Sequence, residues 1–443
     1  MEPNILFIVC DTLRKDVLEV YGGEAKTPNL IRLAEDSMVY ENAIAPSPWT
    51  YPSHVSMFTG LYLNEHKVHE TLEVKSYKIN KFHQELKTEY IAEHLNARGY
   101  TTEGLSANPF VSPFSFFDRG FDSFYTIDPR PDTRKTDLIE QAKKLGKSPA
   151  EILKALIKKG RFIDIVRYFN YLQYMKKLDK LYNYPLEKGA SLSNKMIENG
   201  IWRSKSFKFL NLMEMHESYE TNSHGDEIFK NFTGVKSISK KRVEKLKSKY
   251  ISAAEYLDKK LGELIEAVKK EGFYDDTMII ITSDHGQAFN EHGYMYHEVF
   301  LYDEIIRVPL IIKYPNSKKF EKKEGYQSTV NLFKLIKSIL NGGDDSVLTT
   351  ETAFSESYGA ALSLPDRFKD RMEYVKEHYE KPRKCVFKDG YKLSVEGTTG
   401  KVEEFTLNGK DIDQKENADK FKDLINELEI FKGSENFKLP DFQ

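Results

Sequence analysis

The residues that could do chemistry fall in a few short stretches. In TSDHG, Thr282 to Gly286, an aspartate and a histidine stand side by side just past an apolar run. At a strand's end the backbone turns, so neighbours that would face opposite ways in mid-strand can converge on one point. A carboxylate beside an imidazole there suits zinc or manganese. Asp284 and His285 could equally cap a helix, but Asp11 closes the earlier apolar run ILFIVC in the same manner. In SPWTYPSHVSMFTG, Ser47 to Gly60, Pro52 and the spacing of Val55, Met57 and Phe58 predict a helix whose first turn begins near Thr50. Free N–H groups and the positive dipole end favour an anion at such a turn. Thr50 could be a plain N-cap. Held by a divalent cation, its hydroxyl loses its proton more readily and becomes a nucleophile. That requirement unites Asp11, Thr50, Asp284 and His285 as one candidate metal set.

The chain has 11 histidines, and a lone histidine is more often a satisfied core or surface group than a catalyst, so the candidates need sorting. That discount applies to His69, His83, His94, His224 and His378. His54, His66, His69, His216, His292 and His297 lie in or beside the strand-end and helix-start segments. His216 ends the run FKFLNLMEMH, and His297 follows shortly after the Asp-His pair, which sets these two apart.

The elements that must position these groups are legible as short apolar runs. ILFIVCD, FKFLNLMEMH and TMIIITSDHG each end in ligand-type residues, as expected of buried parallel strands whose carboxyl ends open on a site. VPLIIKYP, Val308 to Pro315, lacks that ending. Helical patterns alternate with them, among them TPNLIRLAEDS, EYIAEHLNARG and KYISAAEYLDKKLGELIEAVKKEG. This alternation predicts a doubly wound α/β sheet. From about Pro129 to Tyr184 a Lys-rich, Tyr- and Leu-interleaved block reads as a solvated helical insertion packed by its apolar face. Beyond about Asp345, alternating segments separated by Asp-Gly, Gly-Thr-Thr-Gly and Asn-Gly predict hairpins. A final helix over roughly Gln414 to Phe431 would pack across them.

Composition bounds the partners. Lys+Arg at 66 nearly balances Asp+Glu at 68, so a nucleic acid or other polyanion held by bulk charge is not expected. Cys10 and Cys385 are too few for a disulfide framework, and no Cys/His cluster is spaced for a structural zinc. The opening MEPNILFIVCDT carries no basic leader, and no run reaches the roughly 18 apolar residues of a membrane span. The expectation is a cytoplasmic protein of open oligomeric state, a homo-oligomer included.

In chain order, NILFIVCDTLRKD, TYPSHVSMFTGLY, FLNLMEMHESY, TSDHGQAFNEHG and LYDEIIRVPLII resemble the sulfatase family of the alkaline phosphatase superfamily. Each is a weak pattern alone; five in the family's order, over nearly the whole length, are specific. The resemblance implies an α/β fold with a large mixed, mostly parallel sheet sandwiched by helices. A catalytic domain would span 1–345, with a smaller antiparallel sheet-plus-helix subdomain over 346–443. Sulfatases begin their active-site helix with a Cys or Ser that is oxidised to formylglycine, followed by Pro and Arg. Here the frame reads Thr50-Tyr51-Pro52-Ser53-His54. A threonine carries a methyl on its β-carbon and cannot yield an aldehyde, and His54 replaces the arginine. Superfamily relatives with an unmodified threonine transfer phosphoryl groups. Asp11-Thr12 stands where sulfatases have an Asp pair, and Asp284-His285 where Asp-Asn is common, which favours a transition metal.

The resemblance therefore implies a hydrolase of phosphate mono- or diesters with Thr50 as nucleophile and one divalent ion. Manganese or zinc is favoured, with calcium or magnesium as alternatives. His216 and His297 would contact the transferred group, and His54, His66, Lys67 and Asn108 would line the substrate pocket. The substrate would be a small-molecule or glycan-linked ester. A sulfate-ester hydrolase working without formylglycine, a phosphotransferase acting on glycan or lipid precursors, and a silent binding module are the competing readings.

Overall fold

The computed structural model describes residues 2–69, 82–127, 154, 157–158, 186–199, 204–217, 225–359 and 364–440. The insertion expected over about 129–184 lies outside these apart from Lys154, Ile157 and Lys158. The first apolar run forms β1 (Asn4–Cys10), buried at every position. Leu6, Ile8 and Cys10 point into one apolar layer, and Ile5, Phe7 and Val9 into the other. A strand covered on both faces needs apolar residues at both parities, which is why it reads as a continuous run rather than an alternating one.

Five further strands precede a short ribbon: β2 (Met38–Ile44), β3 (Thr101–Ser106), β4 (Ser123–Thr126), β5 (Ser206–Leu212) and β6 (Thr277–Thr282). The ribbon is β7 (Ala288–Phe289) with β8 (Met295–Tyr296). Then β9 (Arg307–Lys313), β10 (Glu321–Ser328) and β11 (Thr349–Thr350) complete a nine-stranded sheet ordered β11-β10-β2-β9-β6-β1-β5-β3-β4. β1 lies parallel to β5 and to β6, with Cys10 opposite Leu212 and Val9 opposite Thr282. Asp11 and the residues that follow Leu212 and Thr282 thus leave the sheet along one edge. β9 runs antiparallel between β2 and β6. Its carboxyl end lies at the opposite edge, which explains why VPLIIKYP carries no ligand-type ending.

Helices cover both faces. On one side, α1 (Thr50–Thr59), with all ten residues buried, and α5 (Leu332–Leu340) pack against Phe7 and Phe209. Between them in sequence come the single turn α2 (Leu63–His66), α3 (Ala190–Asn199) and the 31-residue α4 (Lys240–Lys270). α4 starts where the Ser239 side chain accepts from the Arg242 N–H, and its buried stripe of Leu246, Tyr250, Leu257, Leu261, Leu264 and Val268 covers the opposite face of the sheet. Among the described residues no helix is long and apolar enough to cross a membrane.

The second sheet is five-stranded and antiparallel: β12 (Thr352–Ser357), β13 (Arg383–Lys388), β14 (Tyr391–Glu396), β15 (Lys401–Leu407) and β16 (Lys410–Asp411). Its three tight connections are the expected ones, with Gly397-Thr398-Thr399-Gly400 joining β14 to β15. Asp389-Gly390 has φ of 52° and 85°, and Asn408-Gly409 has 50° and 77°, the paired positive φ of a two-residue hairpin turn. α6 (Ala418–Lys432) lays Phe421, Leu424 and Leu428 on Val386, Leu393 and Phe405. It begins later than Gln414, because the Asp413 carboxylate accepts from the N–H groups of Lys415 and Glu416 and closes a turn there.

The two sheets share a buried seam in which Ile44 and Tyr326 of the first meet Ala353, Cys385 and Phe387 of the second. Lys392, 1% exposed, crosses it, donating to the Leu301 carbonyl at 2.6 Å, Asp303 at 2.8 Å and Glu404 at 2.7 Å. Asp303 also accepts from Arg307 at 2.7 Å. Burial alone would lift the Asp303 carboxyl, but the Lys392 and Arg307 charges outweigh it and hold it at about 2, against an ordinary 3.8. A carboxyl lowered by folding stabilises above its unfolded pKa and loses that contribution as pH falls through the folded one. Because a third of the side chain meets solvent, the full linkage energy is screened. Asp303→Asn should therefore lower stability by about 1 to 2 kcal/mol at pH 7 in urea unfolding. The gap to wild type should shrink as pH falls from about 4 towards 2; a pH-independent gap would mean the carboxylate's charge is not its cause.

Candidate active site

Asp11, Thr50, Asp284 and His285 come together at the carboxyl edge of β1 and β6, all nearly or fully buried. Asp11 Oδ2 accepts from Asn108 Nδ2 at 2.7 Å and from the Thr50 hydroxyl at 3.3 Å. Asp284 Oδ1 accepts from the N–H groups of Thr12 at 3.2 Å and His285 at 3.0 Å. The first of these bonds needs Thr12 at φ 60°, a left-handed turn pinned by Tyr250, whose hydroxyl donates to the Thr12 carbonyl at 2.6 Å. His285 donates from Nδ1 to the Gly286 carbonyl at 2.9 Å, which leaves the Nε2 lone pair 3.3 Å from Thr50 Oγ1. Gly286 is required by close approach, since a Cβ there would sit 2.2 Å from the Glu304 carbonyl oxygen.

Each carboxylate is thus held by one oxygen and idle at the other. Asp11 Oδ1 and Asp284 Oδ2 are buried without a hydrogen-bond partner among the described residues. Leaving such an acceptor bare is costly. Burial and the Asp284 charge push the Asp11 carboxyl up to about 6. One oxygen of Asp11, one of Asp284 and one nitrogen of His285 lie within 4.8 Å of one another. The set fits a divalent cation: hard and borderline donors of net negative charge, two of them otherwise unsatisfied.

Next to this cluster stands a second. His297 tilts over His285 with ring centroids 4.5 Å apart, and His216 meets His297 edge-on at 5.4 Å. His297 is tied to Gln287 Oε1 through Nδ1 at 2.7 Å, and the Gln287 amide donates to Glu217 Oε2 at 3.3 Å. His216 donates from Nδ1 to the Glu217 carbonyl at 2.7 Å. Burial pulls His216 down, but the Glu217 and Asp11 charges prevail and raise it above the ordinary imidazole value. His297 is driven well below that value by burial and by the neighbouring imidazoles.

The other expected pocket residues divide. Asn108 is at the site, where it orients Asp11. His54 lies one turn below Thr50, wholly buried between Phe117 and Phe209. Its Nδ1 donates to the Thr50 carbonyl at 2.9 Å and its Nε2 accepts from Asn211 at 3.1 Å, so both nitrogens serve the protein rather than a ligand. His66 bridges Ser56 Oγ and the Val68 N–H, and burial keeps it neutral and far below its ordinary pKa. Lys67 reaches out to Glu435 at 2.7 Å. These two belong to the far end of α1 and its junction with the second sheet, and the structure does not bring them to the cluster.

Sequence reading passed over Gln287, Asn211, Glu217 and Lys188. Gln287 and Glu217 neighbour motif residues, which was the available signal. Lys188 has none: it follows the undescribed insertion, yet it donates to the carbonyls of Glu214 at 3.0 Å and His216 at 2.6 Å and anchors the loop after β5. Burial lowers it to about 8.

Comparison with known proteins bears on the family and the fold. The family model described as Sulfatase matches residues 3–342. The N-acetylglucosamine-6-O-sulfatase of Bacteroides thetaiotaomicron is 22% identical, covering 72% of this chain and 64% of its own. The choline-sulfatase of Rhizobium meliloti is 24% identical, covering 71% and 63%. The chain therefore spans less than two thirds of the length of these curated relatives. The crystal structure of a phosphonate monoester hydrolase of Agrobacterium radiobacter superposes with a TM-score of 0.64 at 16% identity, covering 97% of this chain and 95% of that one. With a matching family model over most of its length and a shared fold, this chain belongs to the Sulfatase family.

Proposed function

We propose that the protein is a metal-dependent ester hydrolase that cleaves phosphate mono- or diesters with Thr50 as the nucleophile. The observation that carries this reading is the position of Thr50 Oγ1, 3.3 Å from both Asp11 Oδ2 and His285 Nε2 at the first turn of a fully buried helix. A divalent cation held by Asp11, Thr50, Asp284 and His285 would supply Lewis acidity that makes the hydroxyl acidic. Asn108 keeps Asp11 turned toward Thr50, while His54, fixed by Asn211, holds the Thr50 carbonyl and with it the helix start. Thr50 Oγ, its proton passing to solvent, would form a bond to phosphorus as the bond to the ester oxygen breaks and that oxygen takes a proton from His216. Water would then release phosphate from the threonine for a monoester, or the remaining monoester for a diester. His216, raised above the ordinary imidazole value, would provide the neighbouring electropositive group for the oxygens of the transferred group, with His297 packed edge-on against it.

The competing sulfate-ester reading has support in the curated relatives, which are sulfatases by name, while the likeness to a phosphonate monoester hydrolase supports the phosphorus reading. Thr50 decides our preference, because a threonine side chain cannot become an aldehyde. An acceptor alcohol in place of water would make the same site a phosphotransferase on glycan or lipid precursors. The glycan-directed name of one relative favours a small or glycan-linked ester as substrate. A panel of aryl phosphate mono- and diesters, phosphonates and sulfates, run with manganese and with zinc, separates these cases. Highest kcat/KM on a sulfate would overturn the phosphorus assignment.

Two substitutions test the division of labour. Thr50→Ala should lower kcat by about a thousandfold or more with an unchanged melting temperature. Turnover retained by folded, metal-loaded Thr50→Ala would remove it as nucleophile. His66→Ala should cost about 1 to 3 kcal/mol of stability by stranding the Ser56 hydroxyl and the Val68 N–H, with kcat/KM within about threefold of wild type. A large loss of kcat at unchanged stability would place His66 in the chemistry instead.

A further inference from the structure

The two segments that carry Thr50 and Asn108, Ala45 to Ser53 (APSPWTYPS) and Ala107 to Phe117 (ANPFVSPFSFF), contain no charged residue, although 30% of the chain is charged. The second is a loop built around Asn108. Its carbonyl accepts from the Val111 N–H at 3.1 Å and its Oδ1 from the Phe110 N–H at 2.8 Å. Ser112 donates to the Pro109 carbonyl at 2.7 Å, and Tyr51 of α1 donates to the Ser115 carbonyl at 3.1 Å. Tied down in this way, the loop still leaves Phe110 45% and Phe114 80% exposed. A single exposed aromatic ring needs no explanation, so placement decides what it means. Phe110 stands two residues from Asn108, whose amide donates to the Asp11 oxygen that also accepts from Thr50. Its ring meets that of Trp49, the residue before Thr50, edge-on with centroids 6.3 Å apart and planes at 83°. Trp49 is 6% exposed and leans in turn on Tyr51 at 6.2 Å. Thr50 and Asn108 thus each lead to one aromatic pair, covered at Trp49 and open at Phe110.

We infer that Trp49 and Phe110 form an apolar subsite for the organic group of the ester, and that this group presents an uncharged ring face. The inference rests on the Thr50 reading and deepens it by naming the class of alcohol. Aromatic rings attract a flat or aliphatic surface through buried area and dispersion, and a ring on a fixed backbone meets it with little loss of freedom. The imidazole that would serve the phosphate oxygens, His216, comes from the loop after β5, so the two halves of the substrate are read by different segments. A charge seated between the two uncharged segments would find no counter-ion in them. Two sources supply an uncharged ring face, an aryl ring and the C–H face of a sugar. The competing occupant is a quaternary ammonium group, which aromatic faces also attract.

The test compares esters of unactivated alcohols, so that leaving-group acidity does not dominate, on the full chain loaded with manganese. The set is benzyl phosphate, methyl phosphate, methyl glucoside 6-phosphate and phosphocholine, each also as its methyl diester. The benzyl ester should exceed the methyl ester in kcat/KM by about tenfold or more. A glucoside ester above the benzyl ester would identify the ring as a sugar, and the reverse order as an aryl group. Phe110→Ala should bring the benzyl-to-methyl ratio to within about threefold of one, while Phe114→Ala, on the same loop, should leave it unchanged. Binding gives the same comparison without turnover: in a Trp202→Phe background Trp49 is the remaining tryptophan, and its fluorescence should report benzylphosphonate binding about tenfold more tightly than methylphosphonate. A wild-type ratio near one, a ratio that survives Phe110→Ala, an equal loss in Phe114→Ala, or phosphocholine preferred over all the others would overturn the subsite. Turnover of sulfates alone would overturn the phosphorus reading, and benzyl sulfate against methyl sulfate would then decide the subsite by the same ratio.

Discussion

The constraint on which the rest of the structure depends is the meeting of two buried carboxylates. Parallel pairing of β1 with β6 delivers Asp11 and Asp284 to one edge of the sheet, both at zero exposure. No lysine or arginine neutralises them at contact distance among the described residues. Like charges buried together are expensive, and proteins retain such pairs where something binds between them. Every nearby choice accommodates that meeting. Thr12 takes a left-handed turn to give Asp284 its N–H, Gly286 lets the following chain pass under Glu304, and α1 aims its first turn and its free N–H groups at the same point.

The second cluster follows from the first through the loops, not through the sheet. The loop after β5 is drawn in by Lys188, and the segment after β6 is clamped by Arg14 through the Gln287 carbonyl and Glu291. Gln287 then joins the two loops, because its oxygen meets His297 and its nitrogen meets Glu217. Positions on loops are less precise than positions on strands unless they are cross-tied, and here a single amide does the tying. His54 shows the opposite use of an imidazole. Packed edge-on between two phenylalanines and bonded at both nitrogens, it supports the helix that carries Thr50. At the equivalent point the family frame has an arginine; His54 is held below its ordinary pKa by burial, although the Asp284 charge beside it pulls the other way.

Much of this was legible in the sequence, for physical reasons. A strand buried on both faces has no choice but a continuous apolar run, and its carboxyl end is where the chain first becomes polar, so Asp11 and Asp284-His285 stand out. Asp-Gly and Asn-Gly state their turns outright, because few other pairs tolerate two positive φ values. Less legible were contacts made across long sequence distances. Nothing local marks Asn211 as the partner of His54 or Lys188 as the anchor of His216. His66 and Lys67 read as pocket residues from their place after α1, yet ten helical residues carry the chain well away from Thr50, since each adds about 1.5 Å. Family position is a register along the chain; whether a side chain reaches the site depends on which end of the helix it leaves from.

The second sheet takes part in the site through its first strand. The Glu356 N–H in β12 donates to the Pro46 carbonyl at 2.9 Å, and the Glu298 N–H donates to the Pro48 carbonyl at 2.8 Å. The segment leading into Thr50 is therefore stitched on one side to β12 and on the other to the residue after His297. Glu356 itself is fully buried, paired with Lys384 and accepting from the Asn64 N–H of α2 at 2.9 Å. A buried ion pair contributes little net stability against a well-packed apolar pair, but breaking one member is strongly unfavourable, so such a pair fixes one arrangement against others. Here it holds the start of α2 against β12 and β13 through the Asn64 N–H. The strand that carries Glu356 is thus tied by its backbone to the segment leading into Thr50, and that segment in turn to the residue after His297.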